Sequence, residues 1–293
     1  MKSPKLIATV AICIAANAAL SHDLTKVDTE VMLGLTGPTK GAKLVPVVVA
    51  TQPLEAEGIA ELAGRSLRTR FWSVGGPNGI VPIHSHVNRP AVFTVATGEI
   101  YEYSSLADEP FLHRTGGLAM EAGGSAHWWH NAGSETVYLI AFDIQPVADE
   151  YANVAVEPVP TAANFDLPEM AEAHNDLLGV VDLGQHFDDA YGTGWGLSTY
   201  RATIEPGGTL PDFTGAGEPL QAFVWIGEVQ EHRSDTDAST TLSERTGSNL
   251  GTGATGFWEN TGDVDAVMYF GVVEPMSEVK GVKPVGVLAH GSH

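Results

Sequence analysis

A chain of 293 residues with 15 Lys+Arg against 36 Asp+Glu carries a formal charge of −21 and lacks the basic footprint that a nucleic-acid partner requires. Hydrophobic residues at 43% and charged residues at 17% exclude a disordered polyanion and supply ample apolar side chain for a core. Glycine (33) and proline (17) are plentiful and long helical periodicities are scarce, so the expected class is all-β, built of short strands and turns.

The chain opens with Lys2 and Lys5, then an apolar run over 6–16, then small residues. This is the pattern of a secretory signal over residues 1–21, with cleavage after Ala18 or Ser21. The run is about half of the roughly 20 residues a membrane span needs, so the mature protein is expected to be periplasmic or secreted and free of the membrane. Cys13, the single cysteine, lies inside that run, and Ile12 before it does not suit a lipoprotein site. The mature chain therefore has no thiol and no disulfide, and its core has to hold without covalent staples.

Further along, a short helical signal spans 53–64, between a proline and a glycine, and a second spans 168–179, with Asp166 placed to cap it. Strand-like segments occupy 68–74, 91–96, 99–103, 136–144, 197–204, 221–226 and 264–273, many rich in β-branched or aromatic residues and ended by Gly, Pro or Asn. The proline- and alanine-rich stretch 148–168 reads as a connector. Shifting the chain against itself by 129 positions superposes Gly79 on Gly208, Gly98 on Gly227, Glu99 on Glu228, Trp129 on Trp258, Asn131 on Asn260 and Gly133 on Gly262. One constant offset for turn-forming and aromatic residues means two copies of one domain, expected over 22–147 and 169–293.

Five of the eleven histidines fall between His84 and His130. His84 and His86 are two apart, so on a strand both rings project from one face, about 6–7 Å apart along the backbone. His127, after the Gly123-Gly124 turn, can approach from another strand and complete three nitrogen ligands. The bland alternative is a set of hydrogen-bonded core histidines.

These residues are where the chain resembles the cupin superfamily. "HSHVNRPAVFTVATG" is similar to the first cupin motif at His84, His86 and Gly98, and "GGLAMEAGGSAHWWHN" to the second at Gly116, Gly124, His127 and Asn131, with Ala122 in the proline slot. The resemblance extends through the repeat and implies a bicupin, two tandem double-stranded β-helix barrels, with the short helices flanking them. It implies a metal held by His84, His86 and His127. The family's glutamate ligand maps to Ala91, and no carboxylate stands nearby at the family's spacing, which predicts a neutral three-histidine face. Such a face resembles those of cupin dioxygenases, implying one divalent transition metal, foremost Fe(II) with Mn, Ni, Cu or Zn as alternatives, and a small anionic or aromatic substrate beside O2. The second copy has Phe213, Gly215 and Gly256 at the corresponding places, so no metal is expected there.

Arg89, just after the ligand pair, is the expected catalytic residue, anchoring a substrate anion, unless it only solvates the rim. His130 faces away from His127 and is expected at the surface or rim, and His113 in a loop. Trp128 and Trp129 are expected to pack the barrel. No Gly-X-Ser-X-Gly elbow or phosphate-cradling loop with a lysine occurs. The sequence thus leaves three functions open: an exported metal-dependent dioxygenase, a non-catalytic binder of a metal or small ligand, and a metal-assisted isomerase or lyase. Pairing into a homodimer is compatible with each.

Overall fold

The computed structural model describes residues 47–276 apart from 56–58, 60, 87–88, 122–125, 148–170, 188–193, 212, 214–217, 237–238 and 252–253. The expected signal segment and the whole of the connector lie outside the described residues. The first copy contains β1 (Val47–Pro53), β2 (Arg65–Val74), β3 (Gly79–Ser85), β4 (Ala91–Thr97), β5 (Glu99–Ser104), β6 (Phe111–Arg114), β7 (Leu118–Glu121), β8 (Ala126–Asn131) and β9 (Val137–Pro146). The second contains β10 (Ala171–Glu172), β11 (His174–Asp182), β12 (Trp195–Ile204), β13 (Thr209–Leu210), β14 (Leu220–Ile226), β15 (Val229–Arg233), β16 (Thr240–Leu242), β17 (Gly247–Leu250), β18 (Gly256–Glu259) and β19 (Ala266–Pro275). Each copy is a two-sheet barrel: β11-β2-β9-β4-β7 faces β10-β3-β8-β5-β6, and β1-β12-β19-β14-β17 faces β13-β18-β15-β16.

The copies exchange their first long strands. β1 precedes the first barrel but pairs antiparallel with β12 in the second, Thr51 opposite Ser198. β11 precedes the second barrel but pairs with β2 in the first, Val180 opposite Arg68. Strands so exchanged cover each other's sheet edges and tie the two barrels together through backbone hydrogen bonds. Cut at the connector, each half therefore leaves one strand in the other half's sheet.

Among the described residues, neither expected helical stretch contains an α-helix. Pro53 closes β1, and Leu54, Ile59 and Leu62 after it are fully buried against the core, with residues 56–58 and 60 outside the described residues. Most of the second helical stretch is β10 and the start of β11. Helix propensity is a weak prior, and the open edge of β2 offers this segment a backbone ladder together with a buried place for Val181.

Side-chain alternation on the long strands separates three cores. On β9, Val137, Leu139 and Ala141 point into the first barrel, while Ile140, Phe142 and Ile144 point to the core between barrels. On β19, Met268, Phe270 and Val272 fill the second barrel while Val267, Tyr269 and Val273 face the first. A strand buried on both faces has this composition because neither face meets water. Hydrogen bonds that cross the inter-barrel core include those from Thr69 Oγ1 to Gln221 Oε1 (2.6 Å) and from Gln221 Nε2 to the Leu67 carbonyl (2.9 Å). The repeat survives in detail. Asn131 donates from Nδ2 to the carbonyls of Val74 and Glu135 and accepts from the Gly133 N–H, and Asn260 does the same with Ile204, Val264 and Gly262.

Candidate metal centre

A β-bulge sets the first two histidines. Val81 pairs with Trp129 and His84 with His127, so Pro82 and Ile83 together face the single residue Trp128. The extra residue shifts the side-chain phase, and His84 faces inward as Val81 does. His86 follows two residues on and faces the same way, with ring centroids 5.0 Å apart. His127 enters from β8, its ring 4.5 Å from that of His84 and 4.9 Å from that of His86. The three expected ligands thus meet at one point.

Each ring is turned by what its Nδ1 meets. His84 Nδ1 lies 2.8 Å from the Pro82 carbonyl, inside the bulge. His86 Nδ1 lies 2.7 Å from the Arg89 carbonyl, across the turn that the Arg89 N–H closes onto the His86 carbonyl. His127 Nδ1 lies 2.7 Å from Glu102 Oε1. These partners only accept, so each Nδ1 carries the ring proton and each Nε2 keeps its lone pair. The Nε2 atoms of His84 and His127 are 3.1 Å apart, and both His86 and His127 are wholly buried. Burial pushes the His84 and His86 rings well below the ordinary histidine range, His86 to about 4, so they stay neutral at pH 7.

A carboxylate completes the cluster, which corrects the expectation of a neutral three-histidine face. Glu121, at the end of β7, places Oε2 2.9 Å from His86 Nε2 and Oε1 3.2 Å from His127 Nε2. One donor atom from each of His84, His86, Glu121 and His127 lies within 4.8 Å of the others. Glu121 is directly opposite Ala91 across β4 and β7, so the vacated family slot is filled sideways, from the next strand. The Glu121 carbonyl accepts from Gln52 Nε2 (3.2 Å), which ties this edge strand to β1. Burial raises the Glu121 carboxyl to about 8 against the pull of His127 and Arg70. His86 Nε2 and both Glu121 oxygens have no well-formed hydrogen bond among the described residues. Three lone pairs and a carboxyl crowded into a dry space suit a divalent first-row cation, and imidazole with carboxylate suits iron, manganese or zinc better than a soft ion.

The second barrel acts as an internal control. Arg68, Asp143, Ala91 and Glu121 form one lateral row across β2, β9, β4 and β7. The same row in the second barrel is Ser198, Val272, Leu220 and Leu250. Arg70, one step down, becomes Tyr200, and the place of His84 is taken by Phe213, whose ring lies 4.9 Å from Tyr200 and 5.1 Å from Phe270. Charged row and histidines change together, and the second barrel is filled with apolar and aromatic side chains instead.

In the first barrel Arg68 grips Asp143 with two hydrogen bonds (2.6 and 2.8 Å), and Arg70 Nη2 approaches it at 2.5 Å while lying over the rings of Trp72 and Phe93. Burial works to raise the Asp143 carboxyl, but Arg70, Arg68 and Arg89 outweigh it and hold it far below the usual carboxylate range. Arg89 is buried, so it does not solvate a rim; its carbonyl orients His86, and its charge adds to that of Arg70 near the cluster.

Three further expectations need correction or refinement. His113 lies on β6, not in a loop, and its Nε2 is 2.8 Å from Glu102 Oε2. His130 faces out of the barrel as expected but is buried beside Trp128. Trp129 fills the barrel core, whereas Trp128 stacks on Tyr103 on the opposite face at 4.3 Å. Glu102, Glu121, Arg68, Arg70 and Asp143 escaped the sequence reading. The repeat held a signal for Glu121, which stands where the second copy has Leu250, an inward position.

Two tandem double-sheet barrels related by an internal repeat, with a His-Xaa-His pair, a glutamate and a third histidine converging inside the first, define a bicupin fold with one candidate metal centre among the described residues. No family model matches the chain and no curated protein matches it. Solved structures similar to it include AerE from Microcystis aeruginosa, at 15% identity over 70% of this chain and 88% of that one, with a TM-score of 0.45. Procruciferin, an 11S globulin from Brassica napus, is similar at 13% identity over 72% and 76%, with a TM-score of 0.46. Bacillus subtilis oxalate decarboxylase, described for its Mn(II) centres, is similar at 14% identity over 80% and 76%, with a TM-score of 0.45.

Proposed function

We propose that the first barrel binds one divalent transition-metal ion through His84, His86, Glu121 and His127, and that the protein is an exported, metal-dependent oxidoreductase acting on a small anionic or aromatic substrate. The observation that carries the metal reading is the fixed orientation of the rings: three Nδ1 atoms committed to acceptors leave three Nε2 lone pairs aimed at one point beside a buried carboxyl. When bound, such an ion supplies Lewis acidity and, if iron or manganese, a redox couple.

The chain's own residues do the rest. The Pro82 and Arg89 carbonyls and Glu102 hold the rings in register. Glu121 cancels one of the ion's two charges and leaves a net positive centre. Arg68, Arg70 and Arg89, against the single carboxylate of Asp143, keep the neighbouring interior cationic, so an anionic substrate meets a favourable potential. Arg89 is the proposed anion anchor, and dioxygenation at Fe(II) is the leading reaction. Export rests on the signal pattern of residues 1–21.

The test is to load the metal-stripped protein with Fe(II) or Mn(II) and scan phenols, diketones, thiols and small carboxylates for oxygen uptake. Uptake should require the ion and fall to background in His86→Ala; uptake indifferent to His86→Ala would remove the cluster from the reaction. The burial of all four ligands favours a second reading, a closed site that retains an ion without turnover. Tight, slowly exchanging metal with no substrate consumed would select it.

A further inference from the structure

Glu102 has a twin in the second barrel, and the two carboxylates are used differently. Glu231 stands opposite Trp258 across β15 and β18, as Glu102 stands opposite Trp129 across β5 and β8. Glu231 accepts from the Trp258 indole N–H (3.0 Å) and from the Ser248 hydroxyl. Glu102 instead accepts from His127 Nδ1 and His113 Nε2, at 2.7 and 2.8 Å. The Trp129 indole N–H, fully buried, has no acceptor among the described residues. A buried donor left without a partner is destabilising, so the first barrel gives up a hydrogen bond to keep its carboxylate on the histidines.

His113 accounts for the difference. It pairs with Ile100 across β5 and β6, at the position that Leu242 holds opposite Val229 in the second barrel. Its ring is buried and stacks on Trp129 at 4.9 Å, and it occupies the carboxylate oxygen that the indole would otherwise claim. The residue equivalent to Ser248 is Ala119, which brings no competing hydroxyl. Burial works to raise the Glu102 carboxyl, but the hydrogen bonds from His113 and His127 outweigh it and keep it at about 2.

We infer that His113 is a positioning residue that acts on the metal-binding nitrogen of His127 through Glu102, holding the carboxylate off Trp129 so that His127 keeps its proton on Nδ1 and its lone pair on Nε2. This rests on the metal reading proposed above. Outer-shell partners of metal-bound histidines commonly govern affinity in this way. His113 is proposed as neither a ligand nor a group that touches substrate.

The experiment compares His113→Leu, which installs the second barrel's residue, with His113→Gln, which keeps an N–H donor toward Glu102. Two readouts are taken: calorimetric Mn(II) and Zn(II) affinity, and histidine-nitrogen and indole N–H NMR of the metal-free protein. His113→Leu should weaken ion binding roughly 10- to 100-fold, shift the His127 ring away from a pure Nδ1–H form and move the Trp129 indole signal towards a hydrogen-bonded position. His113→Gln should restore all three. Should the leucine variant not fold, His113→Met, which also lacks a donor, takes its place. Wild-type affinity and an unchanged His127 ring in the donor-less variant would overturn the inference while leaving the metal reading intact. A wild type that takes up no ion would overturn that reading, and the metal-free ring spectrum would still decide whether His113 fixes His127.

Discussion

Glu121 stands opposite Ala91 across β4 and β7, so its carboxylate projects from the same lateral row on the barrel's inner face. If it serves as a ligand, Glu121→Ala should weaken Mn(II) or Zn(II) binding by more than about 100-fold, beyond the usual outer-shell effect. Ala91→Glu placed on that background should recover part of the loss, because it returns the carboxylate to the same lateral row. Calorimetric titration of the three proteins checks both, and equal affinities for wild type and Glu121→Ala would exclude the carboxylate from the site.

Arg68 and Asp143 belong to this row, and with Arg70 they form a buried group in which two guanidinium groups share one carboxylate. Asp143→Asn leaves two guanidinium charges without a counter-charge and should destabilise the fold by roughly 3–5 kcal/mol. Replacing Arg68, Arg70 and Asp143 together with Ser, Tyr and Val, as in the second barrel, should cost much less, since no charge is stranded. Chemical denaturation of both variants is the measurement; similar losses would mean that packing, not charge pairing, governs this region.

Acid should act through the same aspartate. Its folded-state pKa lies far below the roughly 3.9 of an unfolded chain, so its stabilising contribution is complete above about pH 4 and is lost as pH falls toward the folded value. Unfolding free energy should drop between about pH 4 and 2 in the wild type and more shallowly in Asp143→Asn. Parallel slopes in the two proteins would contradict this assignment.

Much of this architecture is legible in the sequence. Alternation and turn residues mark most of the long strands, and the 129-residue offset marks the repeat that Asn131 and Asn260 confirm bond for bond. The His84 and His86 pair is visible because same-face projection depends only on a spacing of two. What depends on pairing is not. Glu121 joins the site through its opposition to Ala91, the charged row exists only across four strands, and the exchange of β1 and β11 is a choice of partner. Residues 168–179 have helical punctuation, yet the vacant edge of β2 makes a strand of most of them. The bulge at Pro82 and Ile83 likewise shows only once β3 is laid against β8.

The barrels meet where Gly271 lies against the Phe142 ring, and a Cβ on Gly271 would fall inside that ring's van der Waals surface. Gly271→Ala should therefore destabilise the protein by about 1–3 kcal/mol through overpacking. Because β1 and β11 cross between barrels, the loss should appear in one cooperative transition. Thermal unfolding followed by tryptophan fluorescence and by circular dichroism tests this; separate transitions for the two barrels would contradict the interlocked arrangement.

The most direct test of the central claim is a calorimetric titration of metal-stripped protein with Mn(II) and Zn(II), paired with elemental analysis of the untreated protein. The account predicts one tightly bound ion per chain in the wild type and none in His127→Ala. A wild type that binds no ion, or a His127→Ala variant that binds one as tightly as the wild type, would contradict it.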